Sequence, residues 1–165
     1  MSEGKNMQQP AFELAVVMQK RVINNRWQSE VWEPVAVLAE ADCEAEQGEV
    51  FADGEAERWV FRGMRLGLRR EEAEGYYLNI STQAPRVFIM WQVEGDRATP
   101  QQVSASYNDA CTWMDAGENV DSVAMPPELY DVVSAFAREH YRPEPKKRIR
   151  PRSFQSRDQR PRSRH

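Results

Sequence analysis

The stretch Arg86-Val87-Phe88-Ile89-Met90-Trp91-Gln92-Val93 is almost continuously apolar and is bounded by Pro85 and by Glu94-Gly95-Asp96. It is too short for a buried helix and rich in β-branched and aromatic residues, so it predicts a strand covered on both faces, in the centre of a sheet. Glu94-Gly95-Asp96 then turns the chain, and Gln101 to Ala105 adds a further strand. Upstream, Phe12 to Val22 places Leu14, Val16 and Met18 on one face by period-2 alternation. Asn24-Asn25-Arg26 reads as a turn, because Asn tolerates the left-handed backbone region. Val31 to Leu38 returns as an antiparallel partner, and Pro34, which cannot donate to a ladder, puts it at an edge or a bulge.

Arg58 to Arg69 changes phase: Trp59 and Phe61 occupy odd positions, while Met64, Leu66 and Leu68 occupy even ones. Alternation switches face only through an extra residue, so Gly63 marks a bulge or sharp bend. Tyr76, Leu78 and Ile80 predict another strand after a charged turn from Arg69 to Gly75. Glu40 to Glu57, acidic and turn-rich, reads as a solvated loop. Two helices close the domain. Ser106 and Asp109 have capping-box spacing, Tyr107, Ala110, Trp113 and Met114 line one side, and Gly117 supplies a stop. Pro126-Pro127 opens the second, whose Leu129, Val132, Val133 and Phe136 form a core-facing stripe. The expectation is an α+β domain: a bent antiparallel sheet or open β-barrel of about five to six strands, with two C-terminal helices.

The 165 residues suit one domain, and the charge of −4 averages two unlike parts. From Arg142 to His165, ten Lys/Arg face only Glu144 and Asp158, giving +8; the rest has 12 basic and 24 acidic residues, giving −12. Residues 1–11 read as a flexible N-terminus, 12–141 as the domain, and 142–165 as a disordered basic tail, in which Phe154 alone supports no core. The polar start lacks a signal-peptide layout and no stretch is apolar enough for a membrane span, so a cytoplasmic location is expected.

Chemistry-bearing motifs are sparse. His140 and His165 are the only histidines, so no Ser-His-Asp triad or His-rich zinc site can be assembled, and His140 suits the C-terminal end of the last helix. Cys43 and Cys111 are too few for a disulfide framework and read as inert thiols. Glycines are scattered, so no phosphate-cradling loop is present. Glu40, Asp42, Glu44 and Glu46 alternate without the pattern of a calcium loop. No enzyme activity, cofactor or metal is expected. The candidate partner-binding residues are Arg26, Trp27 and Trp32, around the first hairpin. Core filling is the favoured reading of Trp32; Trp27, in the turn, fits core and interface equally. The tail's Lys146, Lys147, Arg148, Arg150 and Arg152 suit nucleic acid, an acidic protein surface, or solubility alone.

Several segments together carry a resemblance. They are Val17 to Arg21, Asn25-Arg26-Trp27, Trp32 to Leu38, Tyr77 to Ser81, Pro85 to Trp91, Ser104 to Tyr107, Met114 to Glu118, Met125 to Leu129, and the basic C-terminus. In this order the chain resembles a proteobacterial domain-of-unknown-function family whose genes often lie beside molybdenum formate dehydrogenase genes. The resemblance spans roughly Leu14 to Tyr141. It implies a non-enzymatic accessory or maturation role, with a formate dehydrogenase subunit or maturation factor as partner. Some members look to have been labelled as molybdopterin-guanine dinucleotide biosynthesis proteins, but here Asn24-Asn25-Arg26-Trp27 stands where such a nucleotidyltransferase would carry its Gly-rich loop. The alternative reading is a nucleic-acid-binding or regulatory protein acting through its tail.

A tail so poor in apolar residues has nothing to bury, so truncation after Tyr141 is expected to leave the thermal midpoint nearly unchanged. Differential scanning calorimetry of the two forms checks this; a fall of many degrees would mean that the tail contributes to the fold.

Overall fold

The computed structural model describes residues 10–23, 30–48, 50–53 and 56–143. Strands β1 (Ala11–Val22), β2 (Glu30–Ala39), β3 (Val50–Asp53) and β4 (Ala56–Gly67) form an antiparallel sheet in the order β2-β1-β4-β3. On β1, Leu14, Val16 and Met18 are fully buried, as their alternation requires. Pro34 satisfies both expectations for it. It lies on the edge strand β2, and the register slips between Val17 and Met18, which face Ala36 and Pro34 and leave Val35 as the extra residue.

Gly63 is where β4 changes face. Leu14 pairs with Met64 and Val16 with Phe61, so Arg62 and Gly63 together oppose Ala15. Gly63 has φ +77°, a conformation that costs other residues roughly 1–2 kcal/mol. The bulge lets Trp59 and Phe61 before it and Leu66 after it enter one core.

A second antiparallel sheet has the order β6-β5-β7, from β5 (Arg86–Glu94), β6 (Arg97–Ser104) and β7 (Asn119–Ala124). The apolar run is its central strand, with Val87, Phe88, Ile89 and Met90 all buried. Gly95, at φ +67°, begins the two-residue loop between Glu94 and Arg97, the position where a tight hairpin favours glycine. Among the described residues three helices accompany the sheets: α1 (Ala73–Ile80), α2 (Tyr107–Asp115) and α3 (Pro127–His140). Helix α3 buries Leu129, Val133, Phe136 and Ala137, and Tyr76 of α1 meets the Phe136 ring edge-on at 5.8 Å. Residues of both sheets, α1 and α3 share one apolar cluster. No described helix is long and apolar enough to cross a membrane.

The α+β class and antiparallel pairing match expectation; the single bent sheet or barrel does not. Among the described residues there are two separate sheets of four and three strands, without closure. Tyr76, Leu78 and Ile80 belong to a helix. Tyr76 is fully buried while Leu78 is half exposed, and burial instead follows Ala73, Tyr76 and Asn79 at helical spacing. Beyond the two expected helices, α1 is therefore a third. Strand β7 was not anticipated, because Asn119, Asp121 and Ser122 are poor strand formers. The acidic segment is not a free loop either. It contains a 3₁₀ turn at Glu40–Asp42 and strand β3, and Cys43 packs with Ala15 and Val60 on the sheet's outer face. The Arg62 guanidinium holds it there by donating to the carbonyls of Cys43 (2.8 Å) and Ala45 (2.9 Å). On α2, Ala110 is buried as expected, but Tyr107 and Met114 are exposed. Gly117, at φ +84°, ends that helix as expected.

Nothing lies within 4 Å of a Cβ built on Gly63 or on Gly67, and of the two only Gly63 is left-handed. Gly63→Ala is therefore expected to destabilise by about 1–2 kcal/mol, purely through its backbone. Gly67→Ala, the control, changes stability by less than about 0.5 kcal/mol. Urea denaturation of both variants measures the difference.

Candidate functional site

Two side-chain constellations and two clefts stand out. The first is at the end of the core nearest the β1–β2 connection. Lys20 and Trp32 are register partners on β1 and β2, and they continue the face that carries Met18 and Val16 inward. Trp32 is half-buried, and its ring lies 5.1 Å from that of the buried Trp59 at 37°. The Lys20 ammonium stands 5.7 Å from each ring, and the Arg97 guanidinium 5.5 Å from Trp59. Lys20 also reaches Glu57 (3.7 Å) and Glu30 (3.9 Å). Cations over indole faces are attracted by the ring quadrupole, so the pair is a core edge capped by charge. Trp32 is thus packed against the core on one side and partly exposed. Arg26 and Trp27 lie outside the described residues, as do Lys146, Lys147, Arg148, Arg150 and Arg152.

The second constellation is a closed polar ring. Arg69 Nη2 donates to Asp109 Oδ1 (3.0 Å) and Oδ2 (3.3 Å). Ser104 Oγ donates to Asp109 Oδ2 (2.7 Å) and accepts from Ser106 N–H (2.9 Å). Ser106 Oγ accepts from Asn108 N–H (3.1 Å), capping α2, and donates to Glu72 Oε1 (2.6 Å). Glu72 returns to Arg69 at 3.7 Å. The expected capping box is present in altered form: Asp109 reaches the N-cap N–H through the Ser104 hydroxyl instead of directly. Burial opposes the charge on Arg69, but the hydrogen bond and charge of Asp109 outweigh it, and the guanidinium is held above its ordinary pKa. Burial lifts the Tyr76 phenol as well, against the lowering effect of the Arg69 N–H that it accepts at 2.9 Å. A Cβ on Gly75 would fall 2.4 Å from Ser106 Oγ, so the ring requires glycine there. Each ring member holds another, which is a structural arrangement.

Two clefts make up the rest. One, of about 500 Å³, lies where the acidic segment crosses the outer face of the first sheet, beside Val17, Cys43, Arg58 and Val60. The other, of about 590 Å³, lies between the end of α1, the start of α2 and the outer face of β5. Its lining includes Leu78, Arg86, Phe88, Tyr107 and Ser122.

The remaining sequence candidates stay apart. His140 rests on the Phe136 ring at 4.4 Å, beside Glu139. Cys43 is buried and Cys111 partly so, both as free thiols. Glu40 is committed to Gly63 N–H (2.7 Å) and Arg62 (3.6 Å). Among the described residues no three His, Cys, Asp or Glu side chains are placed to hold a metal ion. Sequence reasoning missed the ring and the second cleft. The Ser106–Asp109 spacing was the one local signal for the ring; the cleft had none.

Residues 13–150 match the family model described as a protein of unknown function, DUF3305, and the chain belongs to that family. No curated protein and no solved structure matches it.

Asp109→Ala would leave the Arg69 guanidinium without its closest carboxylate and the Ser104 hydroxyl without its acceptor. A loss of about 1–3 kcal/mol is expected. Asp115→Ala, which removes an exposed acid from the unfavourable end of the same helix, should be neutral or slightly stabilising. Chemical denaturation separates the two; equal effects would refute a specific contribution from the ring.

Proposed function

We propose that this chain is a non-enzymatic accessory or maturation protein that binds a component of a molybdenum formate dehydrogenase system. The observation that carries a binding role is the Lys20–Trp32–Trp59–Arg97 arrangement, which leaves one indole partly exposed at the end of the β1–β2 pair. Tryptophan beside cations at a partly exposed surface is a common anchor of protein contacts. Arg26 and Trp27, outside the described residues, precede Trp32 by six and five positions in the chain. The choice of a formate dehydrogenase component rests on the sequence resemblance. A cytoplasmic setting accompanies that choice.

The test is a pull-down from the native host with wild type, Trp27→Ala, Trp32→Ala and a chain ending at Tyr141. Loss of a central aromatic anchor is expected to weaken capture of a formate dehydrogenase subunit or its maturation factor by about tenfold or more. Thermal melts of the Trp32 variant separate lost contact from lost packing. Truncation should matter less at physiological salt, because exposed charges are screened. Binding that only truncation abolishes, with nucleic acid as the retained material, would replace this reading by nucleic-acid binding through the tail.

A further inference from the structure

We propose that the cleft between α1, α2 and β5 is a binding site for a small organic acid: one carboxylate on a compact aromatic or branched apolar body. This goes beyond the partner-binding role and uses none of its residues. Alternation along β5 builds the site. Val87 and Ile89 point into the shared core, so Arg86 and Phe88 project to the opposite side. Ser122, the register partner of Phe88 on β7, lies beside them. Asn79 fixes the floor. It donates to the carbonyls of Arg86 (2.8 Å) and Ala105 (2.9 Å) and accepts from Arg86 N–H (3.0 Å), joining the end of α1 to β5 and to the residue after β6.

The charge balance selects the ligand. Arg86 donates through Nε to Ser122 Oγ (3.0 Å) and through Nη2 to Ser122 O (2.8 Å), which holds the guanidinium in one orientation. Both acceptors are neutral. Among the described residues no carboxylate stands within ion-pair distance of Arg86, and the hydrogen bonds of its guanidinium go to Ser122 alone. No acidic side chain among the described residues lines the cleft. Nη1 and the phenol of Tyr107 make no hydrogen bond to described residues, so the uncommitted polar capacity is donor-rich and cationic. An anion supplies the missing charge, and a carboxylate matches the geometry of a fixed guanidinium.

The walls set the body of the ligand. Leu78 and Tyr107 are 50 % and 53 % exposed, large apolar groups left open on either side of the cleft. Phe88 meets the Tyr107 ring at 5.8 Å in an edge-to-face arrangement, which makes an aromatic back wall. A cleft of about 590 Å³ lies within the range of small-molecule sites.

The experiment is an NMR titration of the full chain with phenylacetate and isovalerate, set against their uncharged amides. Concentrations up to about 10 mM suit ligands of roughly ten heavy atoms. The acids are expected to shift signals of Leu78, Tyr107 and Ser122 and to bind about tenfold more tightly than the amides. Arg86 bridges β5 and β7, so its substitution risks the fold. Leu78→Glu and Tyr107→Ala instead alter exposed positions. Leu78→Glu should lower the affinity for acids about tenfold while Leu78→Gln lowers it less, and Tyr107→Ala should weaken acids and amides alike. Equal binding of acids and amides, shifts confined to other surfaces, indifference to Leu78→Glu, or no binding by either acid would each overturn the proposal.

Discussion

The polar ring from Arg69 through Asp109, Ser104 and Ser106 to Glu72 is the interaction that sets the relative placement of this domain's parts. Two antiparallel sheets without a shared ladder could slide over a common apolar core at little cost, because hydrophobic attraction is non-directional. Hydrogen bonds are directional, and these join the exit of β4, the approach to α1, the end of β6 and the cap of α2. Gly75 and Tyr76 complete the junction from α1: one by having no Cβ at Ser106, the other by accepting Arg69 N–H. Burial of Ile89, Leu129 and their neighbours supplies the driving force, while the ring selects one arrangement from those the core would tolerate.

How far the fold could be read from sequence follows from the range of the interactions that shape it. Strands β1, β2, β4 and β5 were legible because each buries a periodic set against the core, and the phase change at Gly63 was visible because alternation has only two phases. Helix α3 was legible for the same reason at a period of 3.6. Helix α1 was not. It is eight residues long, its aromatic pair Tyr76-Tyr77 favours strands, and the Asn79 contacts that anchor its end are to Arg86 and Ala105. Strands β3 and β7 are short edges, placed by their neighbours more than by their own residues.

The candidate sites divide in the same way. Trp32 could be singled out, but whether it is core or contact depends on Trp59 and Lys20, which only the register brings to it. Trp32 packs against the core cluster and remains partly exposed, a state that alternation along β2 alone does not give. The ring closes through a pair 40 positions apart in sequence, Arg69 and Asp109, and the cleft draws its lining from residues between Leu78 and Ser122. Beyond the Ser106–Asp109 spacing, no local pattern encodes such assemblies.

Strand β5 explains how one short segment serves both stability and recognition. A central strand has both faces covered, and here the two covers differ in kind. The face with Val87 and Ile89 meets the shared core, while the face with Arg86 and Phe88 meets α2 and the end of α1 incompletely. Closing that gap would need a longer α1 or a larger residue than Ala84 on the connection to β5. The chain instead ends α1 at Ile80 and ties the opening with Asn79, so the gap is held open by a satisfied polar side chain. The guanidinium in that opening is held by two hydrogen bonds to neutral Ser122 acceptors, and none of its partners among the described residues is a carboxylate. The β5–β7 ladder, which positions Ser122 under the guanidinium, therefore maintains both the second sheet and an electropositive cleft on its outer side.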